Sequence, residues 1–474
     1  MKTSTTNQAL ALIGMAALVP LAVYALRGAE KLSATPDLAW AALVETGEDH
    51  IGAKDLAERM LTGDRNLTLV DLRPREEYDV WHLPGAVSLT VPDLLGEPGK
   101  KILADPARLV VLYSNGPTHP GQAWVELNKR GLRNVKVLDG GLEAFKSEVL
   151  TPRSLSGAAS EAQSKQSAPE LAILRAFFLL GPDAKVEGAG RHATDPEKLT
   201  KPTVVSTRWL ASRLEKTKVV DVRESASDYA LWHLPGAVHL PQAKLRIKAG
   251  DRDLFLQPAD QLATHFGQLG ITADDDVVIY AEEKLQDATM VALAFARVGH
   301  DKLAILEGGV LRWAADRLPL AKAAPKVSPA VYKIRAGADT FTITVDDLAQ
   351  AVRAGGTKVL DVRPPEFFSG EKSTEKRAGH IPGSVNRFYG NDLTRGETGS
   401  FFRGGDALRA EFEGLGLKPD QDVVVSCRTG HTASESYFVL RYLLGYEKAR
   451  WFNGSWTEWA ARADLPLETG GAKK

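Results

Sequence analysis

One unit occurs three times along this chain, and that repetition limits the fold more than composition does. The first copy reads Leu67-Thr68-Leu69-Val70-Asp71-Leu72-Arg73 and then Trp81-His82-Leu83-Pro84-Gly85-Ala86-Val87. The second reads Val219-Val220-Asp221-Val222-Arg223 and Trp232-His233-Leu234-Pro235-Gly236-Ala237-Val238. The third reads Val359-Leu360-Asp361-Val362-Arg363 and Gly379-His380-Ile381-Pro382-Gly383-Ser384-Val385. Each continues to another apolar run, at Leu109–Tyr113, Val277–Tyr280 and Val423–Ser426. Gly131, Gly299 and Gly445 then stand where helices end, and Gly140, Gly308 and Gly454 follow at equal distances. Apolar strands alternating with helical segments predict α/β units, each a mostly parallel sheet with helices on both faces. Such sheets carry their working loops at the carboxyl ends of the strands.

At one of those ends stands Cys427, followed by Arg428-Thr429-Gly430-His431-Thr432-Ala433 and a helical segment. It is the only cysteine in the chain, so it has no intrachain disulfide partner. A lone cysteine is commonly a small buried hydrophobe. Here the residues after it suit a solvent-facing anion cradle and suit a core poorly. A strand, a tight loop and a helix N-terminus turn amides and dipole toward the sulfur, which favours thiolate. Cys427 is therefore the candidate nucleophile. Arg428, Thr429, Gly430, His431 and Thr432 are the candidate anion-binding loop. Asp361, Arg363 and His380 recur in copies without a cysteine, so they are read as loop supports, the Asp facing its Arg and the neighbouring His.

The 474 residues suffice for about three domains, and 59 Lys and Arg balance 60 Asp and Glu. That balance gives no electrostatic case for nucleic acid. The histidines show no clustered ligand spacing and there is one thiol, so neither metal nor cofactor is expected. Ala9 to Leu26 is an apolar run after Lys2, read within residues 1–34 as a signal peptide, with an uncleaved anchor as the rival. Either reading exports the body of the protein, in a bacterium to the periplasm, where an unpaired cysteine suggests chemistry. The copies fall at 35–152, 202–322 and 323–474. The connection 153–201 is too long for an ordinary loop. It opens flexibly and then carries Leu171–Leu180, an apolar run expected to pack as a helix on a domain rather than dock a partner.

The repeated Asp-x-Arg and His-x-Pro-Gly elements, with the single strand-Cys-loop-helix, resemble the rhodanese (sulfurtransferase) superfamily. The resemblance runs from about Leu43 to about Leu467 outside the linker, with Ser384 replacing the motif's alanine in the third copy. It implies three tandem rhodanese-like domains of which only the last is catalytic. At the cysteine position the second copy has Ala281, followed by Glu282 and Glu283, and the first has Ser114, followed by Asn115, Gly116 and Pro117. An acidic loop repels anions, prolines lack cradle amides, and a serine without a base is a poor nucleophile. In this superfamily a cradle as short as Cys427 to Thr432 suits sulfur rather than phosphate, and Arg428 resembles the thiosulfate-using branch. The sequence departs from that branch at Thr429, His431 and Phe367, where a lysine, a small apolar residue and a second arginine are usual.

The resemblance implies covalent sulfur transfer from a small anionic donor such as thiosulfate to a thiol or cyanide. Cys427 would carry the sulfur as a persulfide and Arg428 would hold the sulfonate oxygens. His431 is either a donor to substrate or an exposed loop histidine without a role. A 3-mercaptopyruvate donor, a persulfide carrier working with a protein acceptor, and a phosphatase are the alternatives.

Overall fold

The computed structural model describes residues 49–151, 161–190, 192–249 and 252–471. The expected N-terminal signal or anchor lies outside them. No helix among the described residues is long and apolar enough to cross a membrane. The chain forms two compact units, one holding the first copy and the other the linker helix with the second and third copies.

In the first unit, β1 (His50–Ile51), β2 (Leu67–Asp71), β3 (Val87–Ser88), β4 (Leu109–Tyr113) and β5 (Val135–Leu138) form a parallel sheet in the order β1-β5-β4-β2-β3. The second copy repeats it. There β6 (Thr203–Val205), β7 (Thr217–Asp221), β8 (Val238–His239), β11 (Asp276–Tyr280) and β12 (Leu303–Leu306) run in the order β6-β12-β11-β7-β8. The third copy repeats it again, with β13 (Thr342–Ile343), β14 (Lys358–Asp361), β15 (Val385–Asn386), β18 (Val423–Ser426) and β19 (Ala449–Phe452) ordered β13-β19-β18-β14-β15. The central strands are β-branched and wholly buried, as the continuous apolar runs require.

Two antiparallel hairpins interrupt the parallel pattern: β9 (Arg246–Ala249) with β10 (Arg252–Leu256), and β16 (Leu393–Gly396) with β17 (Gly399–Phe402). Each belongs to one copy and reaches the other. Leu256 N–H donates to the Asn453 side chain at 3.0 Å, and Ser400 Oγ donates to the Glu283 carbonyl at 2.7 Å. Behind the hairpins the second and third sheets share one hydrophobic cluster, which includes Val277, Ile279 and Phe295 from one and Val423, Val425 and Phe438 from the other.

The apolar linker run packs, as expected. Helix α1 (Glu161–Arg175) and the π-helical turn Ala176–Leu180 lie against α3 (Gly309–Ala315), the helix that follows β12. Ile173, Phe177 and Phe178 are buried, each contributing roughly 1.5–3 kcal/mol. The segment after it reaches the second and third copies: Arg312 Nη1 donates to the Ala184 carbonyl at 2.8 Å, and Gly190 N–H to the Phe402 carbonyl at 2.7 Å.

Candidate active site

Register places the candidate nucleophile. Asp361 at the end of β14 pairs with Ser426 at the end of β18, and Cys427 is the next residue beyond the sheet. The chain then turns through Gly430, at φ +82, into α4 (His431–Phe438). A Cβ at Gly430 would stand 2.4 Å from the Asn453 carbonyl oxygen, so glycine is required by both conformation and space.

The loop is held from behind. The Cys427 and Arg428 carbonyls accept the Trp456 and Thr457 N–H groups at 3.0 and 2.9 Å, and Trp451 Nε1 donates to the Gly430 carbonyl at 2.9 Å. Cys427 N–H donates to Ser455 Oγ at 3.1 Å, and that oxygen lies 4.0 Å from Sγ. With these anchors made, the amides of Arg428, Thr429, Gly430, His431, Thr432 and Ala433 find no acceptor among the described residues. The arrangement is a nest of donors around a sulfur that is 2% exposed.

Ser455 is one of few non-glycine residues at positive φ, at +50. Its register partners Gly141 and Gly309 adopt the same conformation at +64 and +56. At Gly309 a side chain would collide with the Ala281 carbonyl at 2.0 Å, yet the third copy accommodates one. A left-handed serine costs about 1 kcal/mol or more, and here it caps the cysteine amide.

Asp361 and Arg363 meet at the strand end, and the expected histidine contact needs a correction. Arg363 clasps Asp361 through Nε and Nη2, donates to the Gly379 carbonyl at 2.8 Å, and lies 4.8 Å over the Trp456 ring. Asp71–Arg73 and Asp221–Arg223 repeat the clasp. The histidine does not face the aspartate. His380 Nδ1 lies 2.8 Å from the Phe368 carbonyl and its ring stacks on Phe368, as His82 and His233 do on Tyr78 and Tyr229. The Asp221 carboxylate instead takes the Tyr280 hydroxyl at 2.6 Å, because the histidine ring is held flat against its own helix.

The loop side chains meet residues that no motif marks. Arg428 Nε donates to Glu375 Oε1 at 3.1 Å, and Thr457 Oγ1 donates to the same oxygen at 3.1 Å. The Thr429 carbonyl accepts from Arg246 of the second copy. His431 Nε2 stands 2.7 Å from Asp287 Oδ1, also of the second copy, with the carboxylate off the N–H axis. Thr432 is partly exposed and its hydroxyl has no partner among the described residues. Phe367 is half-buried and supplies no charge. Glu435 is fully buried with both carboxyl oxygens unpartnered. Burial, with Asp392 and Asp287 nearby and Arg395 opposing, pushes its carboxyl well up, which favours the neutral form. Burial and Glu435 also raise the Tyr389 hydroxyl, to which Cys427 contributes. Only Ser455 was discoverable from sequence, by its register with Gly141 and Gly309.

A cysteine at a strand end, followed by a loop of unpartnered amides, sits on the last of three repeated α/β sheets. The rhodanese-like domain family model matches residues 53–148, 206–316 and 344–462, so the chain belongs to the rhodanese superfamily, with three such domains. It is 32% identical over 281 residues to the thiosulfate sulfurtransferase of Corynebacterium glutamicum, covering 56% of this chain and 90% of that one. It is 31% identical over 280 residues to the sulfur carrier protein TtuD of Thermus thermophilus, covering 56% and 96%. The anaerobic ergothioneine biosynthesis enzyme of Chlorobium limicola shares the fold, with a TM-score of 0.51 at 18% identity over 89% of this chain and 99% of that one.

Proposed function

We propose that the protein is a sulfurtransferase that moves sulfane sulfur from thiosulfate to a thiol or cyanide through a persulfide on Cys427. The observation that carries this reading is the run of unpartnered amides from Arg428 to Ala433 around a buried sulfur. Six donors without acceptors favour an anion in the nest. Cys427 Sγ attacks the outer sulfur of thiosulfate, the sulfur–sulfur bond breaks, and sulfite leaves with the electron pair. The loop amides hold the resulting anionic persulfide until an acceptor removes its outer sulfur.

Arg428 would hold the sulfonate oxygens by exchanging Glu375 for substrate, which costs the donor some affinity. Thr429, Gly430, His431 and Thr432 supply the rest of the cradle. Asp361, Arg363 and His380 keep it in place from beneath. The test is intact mass after thiosulfate treatment beside Cys427→Ser: one sulfur gained, reversed by cyanide and missing in the variant, is expected. Gain from 3-mercaptopyruvate alone would replace the donor. No gain from either would defeat the small-molecule reading and leave a carrier charged by a protein, which the likeness to a sulfur carrier protein supports. Export, proposed from the apolar run near the N-terminus alone, is tested by cell fractionation.

A further inference from the structure

The second domain has no nucleophile, yet it places a carboxylate on the catalytic loop. Asp287 lies in the first turn of α2 (Leu285–Arg297), is 3% exposed, and has His431 Nε2 at 2.7 Å as its side-chain partner among the described residues. A buried carboxylate left alone would be costly, so the pair is a constraint on the imidazole. Nε2 is the buried nitrogen, whereas Nδ1 has no partner among the described residues and the side chain is 23% exposed. The ring therefore presents Nδ1 as the nitrogen open to a substrate, while the carboxylate at Nε2 fixes how the ring is turned. Glu435, whose burial favours the neutral form, lies on the same helix with Asp392 and Arg395 of the third domain acting on it, and Arg246 of the second domain reaches the Thr429 carbonyl. Arg428, the other charged loop residue, is occupied by Glu375.

We propose that His431 is the base that takes the proton of a neutral thiol acceptor, and that Asp287, lent by the cysteine-less second domain, is the residue that positions it. This rests on the sulfur-transfer reading above. In the step, R–SH gives its proton to Nδ1 and the R–S⁻ sulfur bonds to the outer sulfur of the Cys427 persulfide. The bond from that sulfur to Sγ breaks and its electron pair returns to Sγ as thiolate. The proton then leaves His431 with the product, R–S–SH. No oxidant or reductant is consumed. An anionic acceptor such as sulfite has no proton to give up, so it bypasses the base.

The experiment charges the full chain with inorganic polysulfide, which removes the donor's identity from the question. Persulfide loss is then followed by rapid-quench intact mass with dithiothreitol or with sulfite. The readout is the ratio of the thiol rate to the sulfite rate, which cancels any common structural damage. We expect that ratio to fall about hundred-fold in His431→Gln and about ten-fold in Asp287→Asn, with Asp287→Glu returning to within about three-fold of the unaltered protein. Equal slowing with both acceptors, or an unchanged ratio, overturns the proposal. Failure of the unaltered chain to take sulfur from polysulfide would instead defeat the sulfur-transfer reading, and this inference with it.

Discussion

The second and third domains present the same loop at the same place in the same sheet, and they use it oppositely. After Cys427 the amides stay free and glycine opens the turn. After Ala281 the loop closes on itself: Leu285 N–H donates to the Glu283 carbonyl at 3.2 Å, and Asp287 N–H to the Lys284 carbonyl at 2.9 Å. Its side chains add negative charge, and burial pushes the Glu282 carboxyl up to about 7 against the pull of Arg223. The two loops thus differ in more than the thiol. An anion site needs donors with nothing else to do, and the second loop has spent some and shielded the rest with carboxylates.

The largest expected effect tests that statement directly. Ala281→Cys in a Cys427→Ser background should take up less than about 1% of the sulfur that the unaltered chain takes from thiosulfate, measured by intact mass. Stoichiometric uptake would mean the thiol alone decides. Next, Gly430→Ala should lower the rate of persulfide formation at least about hundred-fold, since a Cβ meets the Asn453 carbonyl and the turn must open. A loss below about three-fold in stopped-flow would show the cradle to be pliable. Arg246→Ala removes the second domain's grip on the Thr429 carbonyl, and we expect about a ten-fold drop in the same rate with the thiol intact. An unchanged rate would reduce that contact to packing.

Two smaller effects concern stability. Burial favours the neutral form of Glu435 in the folded chain, whereas the unfolded chain ionises it above about pH 4.3, so the stability it contributes is present at low pH and is lost as pH rises toward its elevated folded value. Glu435→Gln escapes that loss. Its advantage in urea unfolding should be small at pH 4 and grow by up to about 1.4 kcal/mol per pH unit above. A difference constant with pH would show the carboxyl to be ionised inside. Finally, Ser455→Gly should be about 1 kcal/mol more stable than Ser455→Ala, because both lose the cap on Cys427 N–H and only glycine relieves the left-handed backbone. Equal values in chemical denaturation would deny the strain.

Much of this was legible in the sequence because it is local or periodic. The strands follow from runs such as Val423-Val424-Val425, the clasps from Asp-x-Arg, and the nucleophile from one cysteine before a glycine turn. The hairpins β9–β10 and β16–β17 were not expected, since neither carries clean alternation and their purpose is to reach a neighbouring domain. Glu375, Arg246 and Asp287 were missed for a related reason. Each meets the loop across a long stretch of chain, and nothing in its own surroundings marks it. The misplaced histidine contact has a local cause instead: ring stacking on Phe368, Tyr78 and Tyr229 holds the imidazoles away from the aspartates.

The hydrophobic cluster common to the second and third sheets has a thermodynamic consequence. Neither sheet can lose its interior while the other keeps its own, since Val425 and Val277 belong to one apolar mass. Melting of the two is therefore a single cooperative event, with one heat-absorption peak and a van't Hoff enthalpy that equals the calorimetric value for the pair. The domain without a cysteine thus shares its melting temperature with the one that carries it.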